Sequence, residues 1–279
     1  MLKTVAAILF AAALLAPVAA RAQPVPSTCL AVAESLPGAI YADFSADRAG
    51  RDVAPRLAAL NDTVTITYVA HSTYLIESPA GVVAATDFAG YASGALPDIV
   101  TMNKAHSSHN TPYPDPAIAN VLRGWNPDGP GPARHALTVG DMYVRNVTTD
   151  IRSFGGSYAG AMEHDGNSIF IFEVAGLCIG HLGHLHHALT NSHYAQIGRL
   201  DVLMVPVDGG YTLSQGGMGE TAKRLRAQIV LPMHRFAGPI ERFLDRLPDF
   251  AVERRATPSL TVSVRTLPER PTVIVLKGV

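Results

Sequence analysis

The sequence predicts an α/β protein, and three observations predict it. Short β-branched or aromatic runs alternate with helical patterns along most of the chain. Several of the apolar runs end directly in a histidine or a histidine-rich loop. Apolar residues make up 48% of the 279 positions and charged residues 16%, so a sizeable core can form. Twenty-four Gly and 20 Pro occur without a period, which excludes collagen-like, coiled-coil and disordered chains. With 22 Lys and Arg against 23 Asp and Glu the net charge is −1, and no basic stripe exists to neutralise phosphates, so nucleic acid is excluded as a partner.

The chain opens with a secretion-signal pattern over residues 1–22. Lys3 supplies a positive start, Val5 to Val18 an apolar stretch, and Ala20-Arg21-Ala22 small residues at the two positions a signal peptidase reads. The apolar stretch is shorter than the roughly 20 residues that span a bilayer, and no second hydrophobic span follows. The expectation is an exported protein, periplasmic or secreted, cut after Ala22, with an N-terminal segment over 23–62 and one domain over 63–279. Export permits a disulfide between Cys29 and Cys178. Spacing alone leaves that bridge and a buried free thiol both open, and neither cysteine sits in a CxxC motif.

Thr63 to Val69, Ser72 to Ile76 and Val82 to Ala85 read as a meander of strands turned at Pro79-Ala80-Gly81. Ile99 to Met102 is a strand running into Lys104-Ala105-His106-Ser107-Ser108-His109. Pro114 to Trp125 reads as a short helix before the Asn126 to Pro132 loop. His135 to Val147 and Ser168 to Glu173 read as strands, and Leu177 to Gly180 as a strand ending in His181-Leu182-Gly183-His184. Asp201 to Val207 is a continuous apolar, buried strand. A helix near Met218 to Arg226, a strand Ile229 to Pro232 ending at His234, a helix near Pro239 to Leu247, and strands Leu260 to Thr266 and Thr272 to Leu276 complete the chain. Gly155 to Asp165 reads as a polar loop able to cover a site, and Gly209-Gly210-Tyr211-Thr212 as a segment able to line a cleft. His186, His187 and His193 flank a helix cap at Thr190-Asn191-Ser192 and are placed on a solvated turn.

Two histidine pairs at i, i+3 and one strand-end histidine bring up to five imidazole donors toward one point: His106, His109, His181, His184 and His234. Imidazole nitrogen is a common ligand for zinc and similar divalent transition ions. Strand ends are the rigid places from which such a set converges.

At these residues the chain resembles the metallo-β-lactamase superfamily, in the branch of the L-ascorbate-6-phosphate lactonase. Ile66-Thr67-Tyr68-Val69-Ala70-His71-Ser72 is similar to that branch's opening strand and its Gly-His-Ala/Ser turn, and Thr86-Asp87 to its Thr-Asp-Pro. Lys104 to His109 stands in the place of H-x-H-x-D-H. Gly166 to Phe170 and His181 to His184 resemble G-x-N-x-I-F and H-L-G-D, and Asp201 to Val207 and Pro232-Met233-His234 the last strands and terminal ligand. The resemblance implies a four-layer αββα sandwich with metal at one edge. It also implies a degenerate motif, with Lys104 for the first histidine, Ser108 for the aspartate and His184 for the bridging aspartate.

Without those carboxylates, a second divalent ion beside Lys104 would meet uncompensated repulsion of several kcal/mol at about 4 Å, even at an effective dielectric near 20. A single ion per chain, zinc or another divalent transition metal, is therefore expected, with small molecules as substrates. The reaction class implied is hydrolysis of an ester, lactone, amide or phosphoester through activated water. A non-catalytic metal- or ligand-binding protein on the same scaffold is the alternative. Lys104 and His71 are the candidate catalytic residues. Lys104 either holds a substrate anion, excludes a second ion or points to solvent. His71 either donates at the edge of the site or packs in its hairpin.

Overall fold

The computed structural model describes residues 27–30, 62–153, 160–236 and 238–279. The leader and nearly all of the expected 23–62 segment lie outside the described residues. The chain forms two sheets laid face to face.

The first sheet is built from β1 (Val64–Ala70), β2 (Thr73–Glu77), β3 (Val83–Ala85), β4 (Ile99–Met102) and β5 (Asn120–Arg123), joined at its edge by β13 (Ser259–Val262). The second begins with β6 (Ala136–Val139), β7 (Met142–Arg152), β8 (Met162–Val174) and β9 (Leu177–His181). It continues with β10 (Val202–Pro206), β11 (Ile229–Met233), β14 (Thr272–Val275) and the edge strand β12 (Ala251–Arg254).

Side-chain alternation decides what each face meets. In β1 the odd residues are partly exposed at positions 65, 67 and 69, while Val64, Ile66 and Tyr68 turn inward. In β8, Phe170 and Phe172 enter the core between the sheets, whereas Ile169 and Ile171 enter a second core on the outer face. Strands β10 and β11 are buried throughout because both of their faces are covered, which is why they read as unbroken apolar runs.

The outer face of the second sheet carries the described helices. Helix α1 (Asn191–Ile197) is capped by Thr190, and α2 (Gln215–Leu225) by Ser214, whose hydroxyl accepts from Gly217 N–H. Met218, Ala222 and Leu225 of α2 lie one turn apart and enter the outer core with Phe243 of α3 (Glu241–Leu244). On the outer face of the first sheet a smaller core forms from Phe88, Ala92 and Ile118, which lie in connecting segments.

Several elements differ from the sequence expectation. Pro114 to Trp125 holds the strand β5 and no helix, because residues 120–123 pair in parallel with β4 from Ile99 to Met102 and bury Leu122. His135 to Val147 is a hairpin, broken where Gly140 takes a φ of 54°. The expected strand over Leu260 to Thr266 ends early in a 3-10 turn at Val264–Thr266. Met162 to Asp165, expected as loop, opens the 13-residue strand β8, while 154–159 lie outside the described residues.

Strands β9, β10, β11 and β14 run parallel, as do β3, β4 and β5. Their C-terminal ends therefore share an edge, and open α/β sheets place ligands at such an edge. At the other end of β9 the two cysteines form a disulfide, Cys29 to Cys178. Residues 27–30 are held there by Glu173, whose carboxylate accepts from Ser27 Oγ, from Thr28 N–H at 2.8 Å and from Cys29 N–H at 3.2 Å. Arg145 bonds the same carboxylate at 2.9 Å and reaches the carbonyls of Gln196 and Ile197 at the end of α1. Burial raises the pKa of Glu173, but the bonds from Ser27 and Arg145 outweigh it and hold the carboxyl below its usual range.

The bridge spans 149 residues of sequence, for which chain entropy alone allows about 5 kcal/mol of stabilisation. Replacing both cysteines by serine should lower the unfolding free energy by about 2–5 kcal/mol, measured as a fall in the denaturant midpoint.

Candidate metal centre

At the shared edge, His71 lies in the β1–β2 turn, His106 and His109 in the loop after β4, and His234 directly after β11. One ring nitrogen from each of these four residues lies within 4.8 Å of the other three. His71 and His234 both take left-handed backbone, φ 48° and 53°, as does Asp87 beside them at 40°. For a non-glycine residue that conformation costs about 1–2 kcal/mol, so the surrounding bonds must hold it. One such bond runs from His234 N–H to the His71 carbonyl at 2.7 Å and ties the two sheets together.

Two carboxylates orient two of the imidazoles. His109 Nδ1 donates to Asp87 Oδ2 at 2.6 Å, with both side chains fully buried. His234 Nδ1 donates to Asp208 Oδ1 at 2.9 Å. Each bond fixes the tautomer and leaves the Nε2 lone pair toward the other rings, which is how carboxylates brace metal-binding histidines. Asp87 also accepts from Asn103 Nδ2 at 2.8 Å, and Asp208 from Thr212 Oγ1 at 2.6 Å.

The residues fit a divalent ion. Among the described residues the buried Nε2 atoms of His71 and His109 have no hydrogen-bond partner, an arrangement that would be costly without a ligand. His106 Nε2 and His234 Nε2 stand 3.4 Å apart, close to the separation of two nitrogens on one tetrahedral zinc with bonds of about 2.0–2.1 Å.

A sequence profile for the beta-lactamase superfamily domain matches residues 65–234, which spans all four histidines. The chain belongs to the metallo-β-lactamase superfamily. Among solved structures it is similar to a Thermotoga maritima protein assigned as a zinc-dependent hydrolase of the metallo-β-lactamase superfamily. The two share 29% identity and a TM-score of 0.55, covering 76% of this chain and 98% of that one. The fold also matches Igni18, a metallo hydrolase from Ignicoccus hospitalis, at 20% identity and TM-score 0.51 over 72% of this chain and 99% of that one. A Parabacteroides distasonis protein assigned as a metal-dependent hydrolase matches at 17% identity and TM-score 0.53, over 67% and 90%. No curated protein matches the chain.

In this metallo-β-lactamase-fold chain the expected ligands divide. His106, His109 and His234 meet, and His71, expected as a catalytic or hairpin residue, joins them. His181 stands outside the group, contrary to expectation: its Nε2 donates to the Ser72 carbonyl at 2.8 Å and its Nδ1 accepts from Gly183 N–H at 3.1 Å. Both nitrogens are thus occupied, Nε2 in joining the two sheets and Nδ1 within its own loop. His184 packs its ring 4.7 Å from those of His109 and His234, and its Nδ1 lies 2.7 Å from His186 Nε2. His186, placed on a solvated turn by the sequence, is buried through this contact. His193 closes the Thr190 cap, and His187 accepts from Asp150 N–H.

Lys104 is half-exposed and ion-paired with Glu163 of β8, so the ammonium standing where the resemblance has a ligand is compensated at the surface. Asp87, Asp208, Asn103 and Asn167 lie around the group although none belongs to the expected ligand set. Asp87 lay within the quoted Thr86-Asp87 pair and Asp208 directly after the β10 run. Asn103 and Asn167 close around Gly183, whose φ of 59° and lack of a side chain let the β9 loop approach them. Asn167 Oδ1 accepts from His184 N–H at 2.7 Å and Asn103 Oδ1 from Ser168 N–H at 2.7 Å. A cleft of about 540 Å³ opens on the His71 side, lined by Thr67, Tyr68, Ser93, Pro258 and Lys277.

Burial is the first cause that disfavours a charge on His71, His106, His109 and His186. It lowers His71 to about 3, aided by His234, His109 and His106, and it lowers His109 well below the usual value and His106 less. Burial and the Arg152 charge take His186 to about 4. Asp87 is raised by burial against the pull of His181 and Asn103. Burial also opposes ionisation of Asp208, but bonds from His234 and Thr212 win and hold its pKa low.

An unfolded histidine binds a proton at about 6.5, which the folded His71 refuses until about 3. In metal-free protein, stability should therefore fall as pH drops from 6.5 toward 4.5, a window above the carboxylate range. Urea midpoints across that window should fall less steeply in His71→Gln. Asp208→Asn should weaken zinc binding by about 10–100-fold in calorimetric titration while circular dichroism stays unchanged, because the brace on His234 is lost.

Proposed function

We propose that this protein is a metal-dependent hydrolase that acts on an ester, lactone, amide or phosphoester bond of a small molecule. The observation that carries the reading is the four-histidine group, two of whose members are braced by buried carboxylates. We assign the ion to His71, His106, His109 and His234, with one ion per chain, zinc or a similar divalent metal. Asp87 and Asp208 each offer an oxygen to an imidazole Nδ1, which supports their role as braces and leaves the donor set all-nitrogen. The ordered motif likeness from Ile66 to His234 supports a place near the L-ascorbate-6-phosphate lactonase branch, with Lys104, Ser108 and His184 as its departures.

When bound, a divalent ion supplies Lewis acidity that activates water near neutral pH and polarises a carbonyl or phosphoryl oxygen. The chain itself contributes orientation. Asp87 and Asp208 keep the Nε2 lone pairs of His109 and His234 turned inward, and burial keeps the His109 ring uncharged and able to donate. His184 and His186 form a bonded pair against the same rings, and Lys104 with Glu163 lies outside it. Export to the periplasm or beyond is part of the proposal. It is supported by the leader pattern of residues 1–22 and by the disulfide, which persists in oxidising compartments.

Elemental analysis of dialysed protein should find about one transition ion per chain. The loaded protein should turn over at least one chromogenic ester, lactone or phosphoester, and His109→Gln should abolish both ion retention and turnover. Two retained ions would refute the single-ion assignment. A retained ion with no turnover across that panel would favour the non-catalytic binding protein.

A further inference from the structure

The inference concerns the substrate class and rests on the hydrolase reading. Two large aromatic side chains remain in water beside the histidine group. Phe236 is 46% exposed and Tyr211 54%. The Phe236 ring centroid lies 5.2 Å from that of His234 and 5.4 Å from that of His71, both in edge-to-face geometry. Tyr211 continues the surface, its ring centroid 5.0 Å from Phe236 with the planes tilted by 45°.

Both rings hang from backbone that the site already holds. Tyr211 N–H donates to Asp208 Oδ2 at 2.6 Å, while the other oxygen of that carboxylate accepts from His234 Nδ1. Phe236 follows two residues after His234, whose N–H is bonded to the His71 carbonyl. Their positions relative to the imidazoles are thus set by the same bonds that orient the imidazoles. Exposed aromatic surface is costly in water, and a flat apolar group laid on it regains both burial and ring-to-ring attraction. Rings placed in advance also spare the ordering cost of binding.

We propose that Phe236 and Tyr211 form an apolar subsite that takes an aromatic group of the substrate next to the bond being cleaved. A substrate seated there presents its reacting group to the four histidines and its ring to Phe236. The segment Gly209 to Thr212, which follows the buried strand β10, then serves as a cleft wall as well as a brace for Asp208.

Benzohydroxamate and acetohydroxamate share a zinc-binding head and differ in a phenyl against a methyl group, so the ratio of their affinities reads the subsite without turnover. In the zinc-loaded full chain, benzohydroxamate should bind at least tenfold more tightly than acetohydroxamate. Phe236→Ala should reduce that ratio to about threefold or less, and Tyr211→Ala should reduce it in part, with zinc content unchanged in both. Phe236→Leu keeps apolar bulk without a flat face and should also lower the ratio, which guards against a misfolded alanine variant. A wild-type ratio near one with zinc retained, or a ratio that none of the three variants changes, would overturn the subsite alone. Failure of the wild type to hold zinc would instead overturn the hydrolase reading, and the subsite with it.

Discussion

Four imidazoles packed with ring centroids 4.1–5.5 Å apart set their nitrogens side by side where burial disfavours a charge on His71, His106 and His109, and that constraint organises the rest of the site. Burial is the largest influence against a proton on each of His71, His106 and His109, and the neighbouring histidines add to it. The two carboxylates at hand are each committed to an Nδ1. They stabilise the neutral tautomer that offers Nε2 inward, so the same bonds that satisfy buried acids also aim the donor atoms. Metal affinity and electrostatic tolerance thus come from a single arrangement.

Holding that arrangement requires the sheets to be locked at the edge where the histidines emerge. The locks are polar, and among the described residues they include His234 N–H to the His71 carbonyl, His181 Nε2 to the Ser72 carbonyl, Tyr74 hydroxyl to the Pro232 carbonyl, and Asn103 to Ser168. Each joins a loop or strand of the first sheet to one of the second. Between the sheets the apolar core fixes spacing without direction, whereas these bonds fix register at the mouth. At the far end of β9 the disulfide and the Glu173–Arg145 pair close the opposite pole, tying residues 27–30 and the end of α1 to the second sheet. Strand β9 therefore runs from a covalent anchor to the loop bearing His184.

Most strands were legible because their apolar pattern matches their burial. The continuous run of β10 and the alternation of β1 are direct consequences of being covered on two faces or on one. The misreadings have a common cause, which is that pairing partners are invisible locally. Asn120 to Arg123 becomes a strand only because β4 lies beside it, and Met162 to Asp165 because β7 extends far enough to pair with it. The site shows the same division. His106, His109 and His234 could be read from strand ends, but His181 sits at an equally good strand end and is spent on the Ser72 carbonyl. His71, which the sequence leaves open between a donor at the edge of the site and a hairpin residue, enters the cluster because its turn is bonded to the end of β11.

By itself the sequence determined the α/β class, the order of the strands that carry the site, the histidine-rich loops, and the family to which the chain belongs, because these depend on residue type and spacing along the chain. Tertiary structure alone decided which imidazoles share a point, which are spent on carbonyls, that Asp87 and Asp208 are their partners, and that Cys29 meets Cys178. Those facts depend on how two sheets are superposed, and no local pattern encodes the distance between residues separated by more than a hundred positions. The tautomer of each ring, and so the direction of each lone pair, is set by the hydrogen bond on its other nitrogen, whose partner is known only once the sheets have met.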